Sequence, residues 1–334
     1  MLKDIGTGFN LGNTFDVNQN STKLDDIRPI IDLYRKAGMR HVRIPVTWGG
    51  GFSDGPLADR QGRIDTRHPR LAQLTAAVDY ALGMGMSVVV NTHHEHWLKD
   101  SYDGSASYDT AFANLWQGIA THFRSRPSRL IFEVLNEPEK AFGDWSGKVK
   151  PFDPAAIKWT RQINAVGWKA IRDTGGSNTN RIVMIMPNGQ GNQNQLKDVY
   201  PDKASLPGGG QDRFLAATVH TYDPWGFCGQ NGKNSAYPGK AAIEAPMVKV
   251  AAHERTLGIE VNYGEFGVGR DKNREDRKAE VVREYYQTVR QTAQRLGMTV
   301  TPWDDRGWFG LIAKADNGQY AFVNGLIPAM LASG

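Results

Sequence analysis

Two textures alternate along the chain. Short runs rich in Val, Ile and Leu predict strands over 5–11, 41–45, 87–92, 130–137, 182–187, 215–221, 259–265 and 299–303. Several lack the in–out alternation of a half-solvated sheet and read as buried on both faces, the habit of parallel sheets. Between them, apolar residues spaced three and four apart predict helices over 24–37, 71–84, 111–123, 155–171, 241–257 and 274–296. The first of these places Ile27, Ile30, Ile31 and Tyr34 on one face. Asp153-Pro154 reads as an N-cap followed by a first-turn proline.

A strand–helix rhythm repeated about eight times, with right-handed crossovers, favours a closed barrel over an open doubly wound sheet. The fold class is therefore α/β, a single (β/α)8 TIM barrel. No Pro/Ser-rich linker or shift in composition divides the chain, so one domain is expected over 1–334. The glycine-rich opening at 6–12 misses the dinucleotide-binding spacing by one residue. The long segments 96–108, 138–152, 188–213 and 223–240 all follow strands. They belong at the C-terminal face of a barrel, where its sites are built, and they are dense in Trp, Tyr, Asn and Gly.

Composition narrows the function. With 334 residues, 40% hydrophobic and 22% charged, the chain is an ordinary folded protein and neither a disordered tail nor a disulfide scaffold. No run approaches the roughly 18 apolar residues of a membrane span, so no membrane partner is expected. The net charge of +5 is spread along the chain, and segment 270–278 mixes basic with acidic residues. Without a basic stripe or a recognition motif, no nucleic-acid partner is expected either. Cys228 stands alone and forms no intramolecular bridge. No charged-then-apolar leader precedes the first strand, as in a cytoplasmic or a trimmed mature chain.

Polar residues gather where six of these strands end. Strand two closes with His41-Val42-Arg43-Ile44-Pro45, strand three with Asn91-Thr92-His93-His94 and strand four with Leu135-Asn136-Glu137-Pro138. Strand six ends in His220-Thr221-Tyr222-Asp223, strand seven in Gly264-Glu265-Phe266-Gly267 and strand eight in Trp303-Asp304-Asp305. Six such ends on one rim describe a pocket with two carboxylates, a guanidinium, several imidazoles and an aromatic floor.

In this order and spacing, and with the opening Gly8-Phe9-Asn10-Leu11-Gly12-Asn13-Thr14, the sequence resembles glycoside hydrolase family 5 over nearly its whole length. These are cellulase-type retaining glycosidases with glutamates on strands four and seven. The resemblance implies a (β/α)8 barrel acting on a β-linked polysaccharide or oligosaccharide, with no metal and no organic cofactor. It makes Glu137 the acid/base and Glu265 the nucleophile. Retention needs two carboxyl groups about 5 Å apart across the glycosidic bond. Arg43 is expected to hold Glu265 ionised, Tyr222 to hydrogen-bond it, and His220 to assist Glu137. By the same resemblance Asn136 grips the sugar 2-hydroxyl, His93 contacts the sugar and Trp303 is its stacking platform. His94 reads either as support or as a direct hydroxyl contact.

Other readings compete at particular residues. Glu133, four before Glu137, reads as a buried charge paired inside the barrel. Trp48, Trp97, Trp145, Trp225 and Trp308 divide between sugar platforms and loop packing. His93-His94-Glu95-His96 is dense enough in ligands to raise a metallohydrolase. A carbohydrate-binding protein without turnover would keep the aromatic cleft but not need both glutamates. The expectation is an endo-acting β-1,4-glucanase, with mannanase, xyloglucanase and mixed-linkage glucanase as alternatives on the same scaffold. A monomer is expected, secreted because the polymer cannot enter a cell.

Overall fold

The computed structural model describes residues 2–332; Met1, Ser333 and Gly334, at the ends of the expected domain, lie outside the described residues. One eight-stranded parallel sheet runs in sequence order. Its strands are β1 (Gly8–Asn10), β2 (His41–Ile44), β3 (Ser87–Asn91), β4 (Leu130–Glu133), β5 (Val183–Ile185), β6 (Leu215–Thr221), β7 (Glu260–Phe266) and β8 (Thr299–Val300). The seam between β8 and β1 closes just beyond their formal ends. There Asn10 N donates to Pro302 O at 3.1 Å and Gly12 N to Asp304 O at 3.0 Å. The Asn10 side-chain amide stitches the same seam, donating to the carbonyls of Gly264, Thr301 and Pro302. The expected barrel is present.

Six long helices cover the sheet: Leu24–Lys36, Pro69–Gly83, Ala106–His122, Pro154–Asp173, Lys240–Leu257 and Glu280–Leu296. The first buries Ile27, Ile30, Ile31 and Tyr34, the stripe its spacing predicts. The fourth begins at Pro154, but Asp153 does not cap it through its side chain; its carboxylate accepts the Lys150 N–H instead. Two helices stop at glycines in left-handed backbone, Gly258 and Gly297, which an L side chain would strain.

Several predicted boundaries move. Residues 2–5 form a 3-10 turn whose Leu2 and Ile5 join Val89, Ile131, Ile182, Met184 and Ala216 in an apolar cluster separate from the helix-facing core. Strand pairing puts Val89 beside Ile131 and Met184 beside Ala216, so this cluster fills the barrel interior with the turn as its plug. The predicted strand 130–137 ends at Glu133, and 274–296 divides at Ala279. No long helix links β5 to β6; short turns such as Leu196–Val199 do. An antiparallel hairpin, β9 (Ile312–Lys314) with β10 (Tyr320–Phe322), was not legible beforehand; its Phe322 packs on Tyr34. No described helix is long and apolar enough to cross a membrane.

One irregularity matters for the site. β6 and β7 pair Val219 with Tyr263, but the next pair is His220 with Glu265, so Gly264 is the extra residue of a bulge. Tyr263 lies in the helix-facing core. Strict alternation would turn Glu265 to that same side. The bulge rotates it into the barrel mouth. A Cβ on Gly264 would sit 2.4 Å from Thr218 Oγ1, so glycine is what lets the two strands close there.

Candidate active site

Arg43, wholly buried on β2, organises the barrel mouth. Its Nε and Nη2 donate to the two oxygens of Glu133 at 2.9 and 2.7 Å. Nη1 donates to Asn10 Oδ1 at 2.8 Å and to Glu265 Oε1 at 2.7 Å. Nη2 also reaches Asn136 Oδ1 at 2.6 Å. All five N–H donors are therefore engaged, the fork geometry that only arginine supplies. Burial works against the charge, but the facing carboxylates of Glu133 and Glu265 outweigh it and hold the guanidinium protonated beyond its usual range.

Glu265 is fixed from two sides, since Tyr222 Oη donates to its other oxygen at 3.0 Å. Burial raises its carboxyl above the ordinary value, while His220, Arg43 and the Arg43 hydrogen bond pull it back. Arg43 pulls the carboxyl toward the ionised form, as expected of a guanidinium there, but burial outweighs it and leaves the net direction upward. Glu133 ends on the other side: burial is overcome by the Arg43 charge and hydrogen bonds, leaving it below its usual value. It is the buried ion-pair partner anticipated from sequence.

Glu137 lies four residues past β4, in left-handed backbone with φ of 43°. Its side chain is 24% exposed and its Oε1 is 2.9 Å from His220 Nδ1. Burial pushes its carboxyl up to about 7; Lys99 opposes the rise and Glu139 adds to it. Burial also lowers His220 to about 4, so the ring is neutral at neutral pH. One oxygen each of Glu137 and Glu265, with a His220 nitrogen, lie within 4.8 Å of one another. That spacing suits retaining chemistry; inverting pairs stand roughly 6.5–9.5 Å apart.

The remaining predicted residues converge here too. Asn136 directs its amide toward His93 Nε2 at 3.4 Å. His93 Nδ1 faces Asn91 Nδ2 at 3.1 Å, and its ring lies nearly parallel to Trp303 with centroids 6.0 Å apart. His94 packs edge-on against His93, and burial takes both imidazoles below the ordinary histidine range, His94 to about 3. A cleft of about 1080 Å³ opens above, lined by His93, His94, Glu137, His220, Tyr222, Glu265 and Trp303 among others. Of the ambiguous tryptophans, Trp145 and Trp225 line it, 44% and 60% exposed. Trp48 is buried with its indole on Asn91 O, and Trp97 donates to Glu95.

The four-residue ligand cluster does not converge. Glu95 turns away to accept the Trp48 and Gly49 N–H groups, and His96 stacks on His94. Asp16 instead joins His93 and His94, with donor atoms within 4.8 Å. Asp16 already accepts the Asn13 and Thr14 N–H groups, and the other compact trio, Glu137, His220 and Glu265, has the Arg43 cation 2.7 Å from Glu265. In both arrangements the carboxylates are already engaged, at Asp16 by backbone N–H groups and at Glu265 by Arg43 and Tyr222. Sequence reasoning did not single out Asp16, Lys99 or Glu139; polar residues between the long elements carry no pattern that marks them.

Cellulase (glycosyl hydrolase family 5) matches residues 5–306. Endoglucanase A of Clostridium longisporum is 28% identical over 91% of this chain, which spans 59% of that protein's length. Endoglucanase B of Neocallimastix patriciarum is 29% identical over 99% of this chain and 71% of its own. Among solved structures, a family 5 xyloglucan-specific endo-β-1,4-glucanase from a metagenomic library, bound to cellotriose, superposes with a TM-score of 0.78. It is 25% identical and covers 98% of this chain and 96% of its own.

Proposed function

The chain belongs to the cellulase family, glycosyl hydrolase family 5, and from that premise we propose that it is an endo-acting β-1,4-glucanase. It hydrolyses internal bonds of β-glucan by retaining double displacement. The observation that carries this reading is the placing of Glu137 and Glu265 oxygens within 4.8 Å, one carboxyl poised near neutrality and the other bonded to a guanidinium and a phenol.

Glu265 attacks the anomeric carbon while Glu137 gives its proton to the departing oxygen, forming a glycosyl ester. In that step Glu265 loses its negative charge and Glu137 gains one. With the Glu265 charge gone, one source of repulsion against an ionised Glu137 is removed, so it is now more stable as a carboxylate and serves as base. Glu137 then takes a proton from water, the hydroxide equivalent attacks the anomeric carbon, and the bond from that carbon to Glu265 breaks, releasing the carboxylate and a sugar with the β configuration restored. His220, neutral and 2.9 Å away, orients Glu137 in both states. His93 and Trp303 line the position of the reacting sugar, with Asn136 buried behind His93, and Trp145 and Trp225 offer exposed ring faces to neighbouring sugars. We propose that it acts outside the cell, because a polymeric substrate cannot enter one.

A second reading, xyloglucan or mixed-linkage glucan as the preferred polymer, is favoured by two solved relatives at 25% identity. One is the xyloglucan-specific enzyme and the other a family 5 lichenase from Caldicellulosiruptor. Product analysis on carboxymethyl cellulose, barley β-glucan, xyloglucan and mannan tests both. Viscosity falling ahead of reducing-end release on the glucans supports the proposal; release from mannan alone overturns it.

A further inference from the structure

A lysine is buried beside the acid/base with no hydrogen bond to hold it. Lys99 ends the single helical turn His96–Lys99 after β3, and its side chain is 1% exposed. Its ammonium lies 4.0 Å from Glu139 Oε1, the one carboxylate within that range among the described residues. A contact of 4.0 Å is too long for a hydrogen bond, so the pair acts through charge. Burying an ammonium costs several kcal/mol unless facing carboxylates offset it, so Lys99 needs the acids around it. Glu139 is two residues beyond Glu137, 19% exposed, with Gln190 Nε2 donating to its other oxygen at 3.2 Å.

We propose that Lys99 and Glu139 are positioning residues, an opposed charge pair that sets the protonation of Glu137 and so the alkaline limit of catalysis. The charged and titratable groups facing Glu137 are Lys99 from the β3 loop, Glu139 from its own loop, Arg43 on β2, Glu133 on β4, His220 on β6, Tyr222 just past β6 and Glu265 on β7. Arg43 is already committed to Glu133 and Glu265. Lys99 faces one carboxylate, Glu139 at 4.0 Å, where Arg43 faces two at 2.7 Å, so less of its field is cancelled before it reaches Glu137. It is the strongest charge opposing the upward push of burial there, and Glu139 the strongest reinforcing it. Removing either member leaves the other acting alone, so the two single variants act in opposite directions.

This inference rests on Glu137 being the acid, and the test separates the two claims. The pH dependence of kcat/KM on barley β-glucan is measured for the wild type, Lys99→Met, Glu139→Gln and the double variant. Lys99→Met moves the alkaline limb up by about 0.5–1 unit, Glu139→Gln moves it down by a similar amount, and the double variant returns near the wild type. Limbs that stay in place, or move the same way in both single variants, overturn the pair. A structural role would lower kcat at every pH and leave the limb where it is. Lys99→Arg keeps the charge and should keep the limb; if Lys99→Met does not fold, Glu139→Gln alone still decides. Glu137→Ala on an activated aryl cellobioside checks the premise separately: an alkaline limb that persists there means the acid is another group.

Discussion

Replacing Arg43 with lysine keeps one positive charge and changes the number of donors from five to three. Five bonds are in place, two to Glu133 and one each to Asn10, Glu265 and Asn136. An ammonium satisfies three acceptors at most, so at least two buried acceptors lose a partner. Each such loss costs about 1–3 kcal/mol, giving about 2–6 kcal/mol of stability for Arg43→Lys. For a chain of 334 residues that is about 3–9 °C in Tm. Catalysis should suffer as well, because Glu265 is aimed by Nη1 while the rest of the fork is anchored on Glu133. A tenfold or greater fall in kcat is expected, equivalent to about 1.4 kcal/mol in the barrier. KM should change little, since Arg43 is fully buried and touches no sugar. The assay pairs a thermal melt with kcat and KM on barley β-glucan. A variant within 2 °C and twofold of the wild type would refute the reasoning, because the five-bond hub would then contribute neither stability nor aim.

Glu137→Ala should cripple hydrolysis of natural glucans while sparing the first step on aryl cellobiosides with good leaving groups, and added azide should yield a β-glycosyl azide; equal losses on both substrates without that product would move the acid role elsewhere. Wild-type activity should fall as pH rises through about 7, where Glu137 loses the proton it donates, and fall again in acid as Glu265 gains one; activity still climbing well above pH 7 would contradict this assignment. Gly264→Ala puts a methyl 2.4 Å from Thr218 Oγ1 and should cut kcat at least tenfold by displacing the bulge that aims Glu265; kcat on β-glucan within twofold of the wild type would show that the bulge tolerates a side chain.

What was legible in the sequence follows from the range of the interactions involved. The ends of β2 and β3 could be read because each is a Val- or Ile-bearing run that turns polar within a residue or two, a purely local signal. Arg43, Asn136, His220, Tyr222 and Glu265 were found by that signal together with the family resemblance, and the structure brings them together. The overlong strand 130–137 shows where local texture misleads: Val134 and Leu135 are as apolar as the strand before them, yet regular pairing stops at Glu133. The inward turn of Glu265 was hidden, because it depends on a bulge between strands far apart in sequence. Lys99 and Glu139 are 40 positions apart in irregular segments, and nothing in either segment announces the pairing. Ile5, the last residue of the 3-10 plug, reads as the start of a strand because only the closed barrel supplies the interior the plug fills.

The central claim is that Glu265 forms a covalent bond to sugar. A 2-deoxy-2-fluoro cellobioside with an activated leaving group slows both steps but allows the ester to form, so it should accumulate on the protein. Mass spectrometry of the digested protein should place the fluorosugar on the peptide containing Tyr263-Gly264-Glu265-Phe266, and early product from an unmodified substrate should be the β anomer by NMR. A label on Glu137 or Glu133 would keep retention but reverse the roles; an α anomer formed first would contradict double displacement altogether.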